Sequence, residues 1–193
     1  MILSKLKTDA ESYIGSKVTP EENGKALQRQ KIVSALAMRI VFGSSGSFYN
    51  RLYAEGLLNR DYEYEIDYTA GTATILIGGE SREPKKVLDE IKAEIKSVAE
   101  NGIDRGAFER AKKASFGSRL RGLEDFDSLC VSLASSAFDG YCGLDAFRIL
   151  TQIDVKECED FLTRYMADDK LAISVLTDYQ DGTIRCIFRG RVV

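Results

Sequence analysis

Residues Asp61 to Ile77 read DYEYEIDYTAGTATILI, and this stretch decides the fold class. Tyr62, Tyr64, Ile66 and Tyr68 alternate strictly with Asp61, Glu63, Glu65 and Asp67. Successive side chains of a strand point to opposite faces, so the spacing predicts a strand with one aromatic face and one acidic face. Thr69-Ala70-Gly71 turns the chain, and Thr72 to Ile77 returns as its hairpin partner. A hairpin commits the chain to antiparallel pairing.

Working outward, Glu11 to Val18 (ESYIGSKV) is a first strand, and Pro20 with Asn23-Gly24 marks the turn after it. From Lys25 the period becomes helical. Ala26, Leu27, Val33, Leu36, Ala37, Ile40 and Val41 share one face, and Gly43 stands where a C′ glycine ends such a helix. A shorter helix fits Phe48 to Glu55, with Ser45 or Ser47 as its cap and Gly56 as its stop. Beyond the hairpin the pattern is again helical. Pro84 suits a first turn, with Ser81 as cap. Val87, Leu88, Ile91, Ile95 and Val98 form a stripe that Asn101-Gly102 closes. Asp104 opens a helix carrying Phe108, Ala111, Phe116 and Leu120. Leu123 to Phe138 follows, with Phe126, Leu129, Cys130 and Leu133 as its apolar positions. After a short helical piece at Ala146 to Leu150, Asp154 and Glu157 have capping-box spacing before Val155, Cys158, Phe161, Leu162 and Tyr165. Leu171 to Leu176 and Thr183 to Phe188, joined at Asp181-Gly182, are the last two strands.

Strands in hairpins and helices in consecutive runs predict an α+β, two-layer sandwich: a mostly antiparallel sheet covered on one face by helices. No repeat and no linker interrupts residues 1–193, which are expected to form a single domain.

Composition narrows the chemistry. Net charge is −3 and the basic residues alternate with acids, so no nucleic-acid partner is expected. No run approaches the roughly 20 apolar residues of a membrane span, and the first residues lack a signal-peptide core, so the expectation is no membrane and a cytoplasmic setting. Cys130, Cys142, Cys158 and Cys186 lie far apart and are expected to be buried thiols. There is no histidine, which removes zinc motifs built on H-x-x-E-H and every Ser-His or Cys-His pair.

Two stretches invite a functional reading. Phe42 to Leu58 (FGSSGSFYNRLYAEGLL) is Gly/Ser-rich, but it fits neither the P-loop nor the dinucleotide or nucleophile-elbow spacing. A helix-to-helix corner explains it. The acids Asp61, Glu63, Glu65 and Asp67 repel one another along one strand face. They form a solvated outer face, bind a cation, or line a cavity that receives basic peptides. Burying such charges without partners is prohibitive, so their side of the sheet is expected to be the one without helices.

The chain resembles the second, non-zinc half of pitrilysin-like metallopeptidases, the group of insulysin and the mitochondrial processing peptidase. The resemblance rests on IGSKV (14–18), FGSSGSFYNRLYAEGLL (42–58), GGESREPKKVLDEI (78–91), NGIDRGAFERAKKASFGSRLRGLEDF (101–126) and FDGYCGLDAFRIL (138–150). It implies a half-domain that closes a peptidase chamber while a separate half holds zinc. That zinc-bearing half, in the same longer protein or on another chain, is the expected partner, and a peptide is the expected substrate. No cofactor is expected in this chain, nor peptide cleavage by it alone. The family's substrate-contacting arginine and tyrosine fall on Tyr53 and Asn59 here, with Arg51, Tyr62 or Tyr64 as substitutes. The alternative is a stand-alone protein-interaction module that keeps the fold without the peptidase role.

Overall fold

The computed structural model describes residues 10–22, 24–69, 71–178 and 184–189, the backbone alone for 177, 178 and 184–189. Five strands, β1 (Ala10–Val18), β2 (Glu63–Thr69), β3 (Thr72–Ser81), β4 (Ala172–Asp178) and β5 (Ile184–Arg189), form one sheet in the order β2-β3-β1-β4-β5. Every pairing between them is antiparallel. The helices are α1 (Lys25–Phe42), α2 (Ser47–Ala54), α3 (Pro84–Asn101), α4 (Arg105–Gly122), α5 (Phe126–Phe138), α6 (Ala146–Gln152) and α7 (Val155–Tyr165). The fold is the expected α+β sandwich. The turns expected at Asn23-Gly24, Ala70 and Asp181-Gly182 touch residues outside those described.

Alternation along the strands separates the two faces. Ala10, Ile14 and Val18 of β1, Ala73, Ile75 and Ile77 of β3, and Ile173 and Val175 of β4 are buried beneath the helices. The helices answer with Leu36, Met38 and Phe42 of α1, Ile91 of α3, and Cys158 and Leu162 of α7. Each such side chain contributes about 1.5–3 kcal/mol by leaving water. Two buried serines in β1 have backbone partners: Ser12 donates to the Gly79 carbonyl (3.3 Å) and Ser16 to that of Tyr165.

The local signals succeeded where the cap lies in the sequence itself. Asp104 accepts from the Ala107 amide at 2.6 Å. Asp154 and Glu157 form the full capping box of α7. Gly102 (φ 74°) ends α3. Gly56 (φ 69°) ends α2 in a Schellman turn, with Leu57 N–H bonded to the Leu52 carbonyl and Gly56 N–H to that of Tyr53.

Several expectations are corrected. Neither Ser45 nor Ser47 caps α2; the cap position is Gly46, and no side chain bonds there. Gly43 is not a left-handed stop, for its backbone is extended (φ −67°, ψ 149°). Glycine is needed there because a Cβ would strike the Arg39 carbonyl oxygen. Ser81 lies on β3 and accepts from the Glu83 amide, whereas Glu83 occupies the cap position of α3. Of the cysteines with described side chains, Cys158 is buried but Cys130 and Cys142 are exposed. Phe116, Leu120 and Phe126 are exposed rather than core. The stretch Lys25–Ala54 is apolar and long enough to cross a membrane by length and composition, but 56% of that window is buried in this fold. It is broken at the Gly43–Gly46 corner, so it serves as core.

Candidate functional site

The open face of the sheet is built by strand register. Glu63 aligns with Gly78, and Gly78 with Tyr13, which aligns with Ser174. The next row is Glu65, Leu76, Gly15 and Ala172, and the one after it Asp67, Thr74 and Lys17. At the other end Glu80 aligns with Glu11, and Glu11 with Leu176. All of Asp61, Glu63, Glu65, Asp67, Glu11, Glu80 and Lys17 are exposed. Tyr62, Tyr64, Ile66 and Tyr68 pack on the helix side against the core. The outer face is therefore strongly acidic, with Lys17 the basic side chain in these rows.

Two glycines let this face carry its larger side chains flat. The Tyr13 ring lies over Gly78, where a Cβ would collide with the ring. Leu76 lies over Gly15 in the same way, 2.9 Å from the position a Cβ would take. Tyr13 donates to Glu11 Oε1 at 2.6 Å. That bond, then burial, then the charges of Glu11 and Glu63 push its phenol above the ordinary range. The result is a shallow surface of one aromatic ring and one leucine, ringed by carboxylates. Among the described residues no group of three or more acids or thiols converges as a metal site.

The residues expected at the substrate-contacting positions fall at one end of the sheet. Asn59 donates to Glu80 Oε2 (3.1 Å) and to Asp61 Oδ2 (3.4 Å), and its Oδ1 accepts from the Asp61 amide. Tyr53 stacks on Tyr49 at 5.6 Å, and the Tyr49 hydroxyl donates to the Asn59 carbonyl. Arg60 lies near the Tyr53 hydroxyl, which pushes its guanidinium up. Tyr53 and Asn59 thus belong to one cluster, joined through Tyr49. The substitutes lie elsewhere. Arg51 turns to α3 and bonds Glu90 at 2.6 Å, with Glu94 3.7 Å away. Tyr62 is buried among the core residues, its hydroxyl without a hydrogen-bond partner among the described residues, and burial pushes its phenol up. Tyr64 is half-buried and pushed up by the same cause.

Sequence reasoning found the acids of β2 but not Glu11, Tyr13, Leu76 and Glu80. The period-2 signal was present in β1 and β3. What it lacked was the register that lays β3 beside β2 and β1 beyond it. On the helix side, a groove of about 460 Å³ between α1 and α7 contains the Arg29–Glu157 ion pair, whose charges already satisfy one another. The buried Cys158 thiol is pushed up to about 12 by burial first, which removes it as a nucleophile.

Solved structures of low sequence identity share this fold. A protein of Alicyclobacillus acidocaldarius described as an M16-like peptidase superposes with a TM-score of 0.81 at 21% identity, covering 89% of this chain and 41% of that one. The inactive peptidase domain of a protein assigned as a zinc protease in Bordetella parapertussis gives 0.70 at 12% identity, covering 97% and 98%. Among curated proteins, the "Uncharacterized zinc protease YmfH" of Bacillus subtilis (strain 168) is 23% identical over 154 residues, 80% of this chain. The chain spans 36% of that relative's length. The model of the peptidase M16 inactive domain matches residues 13–115, more than half of the 193 residues. With that match and the shared fold, the chain belongs to the peptidase M16 inactive-domain family.

Proposed function

We propose that this chain is a single-domain, non-catalytic wall of a zinc metallopeptidase chamber, working in the cytoplasm beside a half that carries the zinc. The open, acidic sheet face carries this reading. A two-layer fold that leaves one sheet face bare must present that face to water or to a ligand, and here it is lined with carboxylates around Tyr13 and Leu76. Such a surface suits extended peptides with basic side chains. The resemblance to pitrilysin-like peptidases puts the substrate-contacting positions at Tyr53 and Asn59. Asn59 is held against Glu80 at the end of the acidic rows, which supports a positioning role there.

The zinc chemistry belongs to the partner half, since this chain has no histidine to supply an imidazole ligand. The purified chain is expected to show no peptide hydrolysis and no stoichiometric zinc. Zinc-dependent turnover at near-stoichiometric metal would refute the non-catalytic reading. Combined with a zinc-bearing M16 half, the chain is expected to raise cleavage of basic peptides more than of acidic ones. Glu63→Lys with Glu65→Lys is then expected to raise KM for a basic peptide about tenfold with kcat little changed. An unchanged KM would remove the acidic face from substrate contact.

A further inference from the structure

The geometry points to α5 as a self-association surface: we propose that two copies of this chain pair through an antiparallel contact of their α5 helices. The helix has the composition of a core element and the exposure of a surface one. Among Phe126–Phe138 the single charged residue is Asp127, in the first turn, where the helix dipole favours it. Ser136 alone is fully buried, and Leu129 and Leu133 are half-buried on the same side. Around the rest of its surface Phe126 is 75% exposed, Val131 67% and Phe138 90%. Cys130, Ala134 and Ala137 are exposed between them. Ser128, Ser132 and Ser135 make an exposed polar strip beside them, so the apolar residues left bare form one stripe, the kind of face a helix normally buries.

Nor is α5 a frayed segment. Asp125 accepts from the Ser128 amide (3.1 Å) and hydroxyl (2.7 Å) at its start. Gly140 (φ 78°) closes it in a Schellman turn, with Tyr141 N–H bonded to the Ser136 carbonyl and Gly140 N–H to that of Ala137. The Asp139 carboxylate just beyond is held by Lys31 at 2.5 Å. The apolar stripe is therefore displayed on a helix pinned at both ends.

The spacing of the stripe selects a second copy as its occupant. Phe126, Cys130, Ala134 and Phe138 follow one another at four-residue steps, one line along the helix. The order is large, small, small, large, symmetric about residue 132. A two-fold axis at that level brings Phe126 beside the partner's Phe138 at both ends, about 18 Å apart at 1.5 Å per residue. Cys130 then lies across from the partner's Ala134, and small side chains there allow the backbones to approach. An isologous contact requires this self-complementarity. The two phenylalanines expose about 300 Å² of apolar surface per copy. With Val131 and the small residues, the pair would bury about 1,000 Å² in total, at the threshold of a specific interface and in the weak, reversible class.

Sedimentation equilibrium or light scattering from about 1 to about 200 µM tests this, a range chosen for a weak interface. The expected mass rises from the 21.4 kDa monomer to twice that, with half-association at micromolar concentration. Maleimide labelling of Cys130 is expected to slow as the dimer fills. Phe126→Asp, Phe138→Asp and, at the centre, Ala134→Glu should each weaken association about tenfold or more while the far-ultraviolet circular dichroism is retained. Leu120→Asp, an exposed position on α4, should leave association unchanged. A monomer at every concentration overturns the proposal and leaves another occupant, such as a zinc-bearing half, for the stripe. So does a dimer that survives the three α5 substitutions. Transfer of the chain onto phosphatidylcholine vesicles while the soluble fraction stays monomeric overturns it as well.

Discussion

Gly43 and Gly56 flank the same short helix and are required for different reasons. Gly56 has φ 69° and open space around it, so its need is conformational. Gly43 has an ordinary extended backbone but no room, because a Cβ would meet the Arg39 carbonyl. Asparagine separates the two cases, since it tolerates left-handed backbone but carries a Cβ. Gly56→Asn should cost well under 1 kcal/mol and Gly56→Ala about 1–2 kcal/mol. Gly43→Ala and Gly43→Asn should both cost about 1–3 kcal/mol through overpacking. Urea midpoints measure this, and a well-tolerated Gly43→Asn would end the steric account. The tyrosines under the helices make a second case. Tyr68 donates to Ser34 Oγ at 3.2 Å, and burial pushes its phenol from 10.0 up to about 12. Tyr62 is also pushed up by burial, but its hydroxyl has no partner among the described residues. A phenol harder to ionise in the folded state adds stability that is fully present below pH 10. Above that, the unfolded chain releases protons that the folded chain keeps, and stability falls until the folded value is passed. Unfolding free energy should therefore decline between pH 10 and 12, and Tyr68→Phe should flatten that decline. At neutral pH Tyr68→Phe should cost about 0.5–1.5 kcal/mol. Tyr62→Phe should be neutral or stabilising, because it removes an unpaired buried hydroxyl.

At the level of elements, the junction of α1 with α7 concentrates the most on one side chain. Glu157 returns to the Asp154 amide as half of the capping box and also accepts two bonds from Arg29 of α1, at 2.6 and 2.7 Å. Asp154→Ala should cost about 1 kcal/mol through the cap alone. Glu157→Ala should cost more, since it removes a bidentate pair as well, though both partners are about a third exposed and water screens them. In an Arg29→Ala background the Glu157→Ala cost should fall back towards that of Asp154→Ala. A cycle of the four proteins in chemical denaturation checks this, and strict additivity would contradict it. The box was legible in the sequence because both its residues are local, as were Asp104 and the stops at Gly56 and Gly102. The errors share one physical cause. Periodicity marks which side chains are apolar, not what covers them, so Phe126 and Cys130 looked like core. The real packing of α5 is through Leu129, Leu133 and Ser136. Likewise β3 was expected to stop at Ile77 but runs on to Ser81. Gly78 and Gly79 disguise its last residues, and the reason for them, Tyr13 above Gly78 and Tyr62 against Gly79, lies far away in the sequence.

Over the whole molecule, the legible part was the two-layer plan and the acidic strand, and the illegible part was the strand order. Nothing in Glu11 to Val18 says that this strand is central, between β3 and β4. That placement adds Glu11 and Tyr13 to the acids of β2 and turns a charged strand into a charged surface. It also sets an electrostatic cost. Alternate residues on a strand lie about 7 Å apart, so Glu63, Glu65 and Asp67 repel at distances inside the Debye length of about 10 Å at 0.1 M salt. The chain's net charge of −3 understates this, because the acids of the open face outnumber its one lysine in these rows. If the face is kept acidic for binding rather than for stability, the folded state is self-repelling there and salt should relieve it. The melting temperature should rise by a few degrees between about 0.01 and about 0.15 M sodium chloride. Glu65→Gln, in the row with Leu76, should stabilise the chain by a few tenths of a kcal/mol at low salt and shrink the salt response. Glu109→Gln, on the exposed side of α4, should change neither. Thermal melts across the salt series measure all three. A melting temperature that falls with salt would mean that attractive pairs dominate the surface, and the acids of β2 would then need no functional explanation.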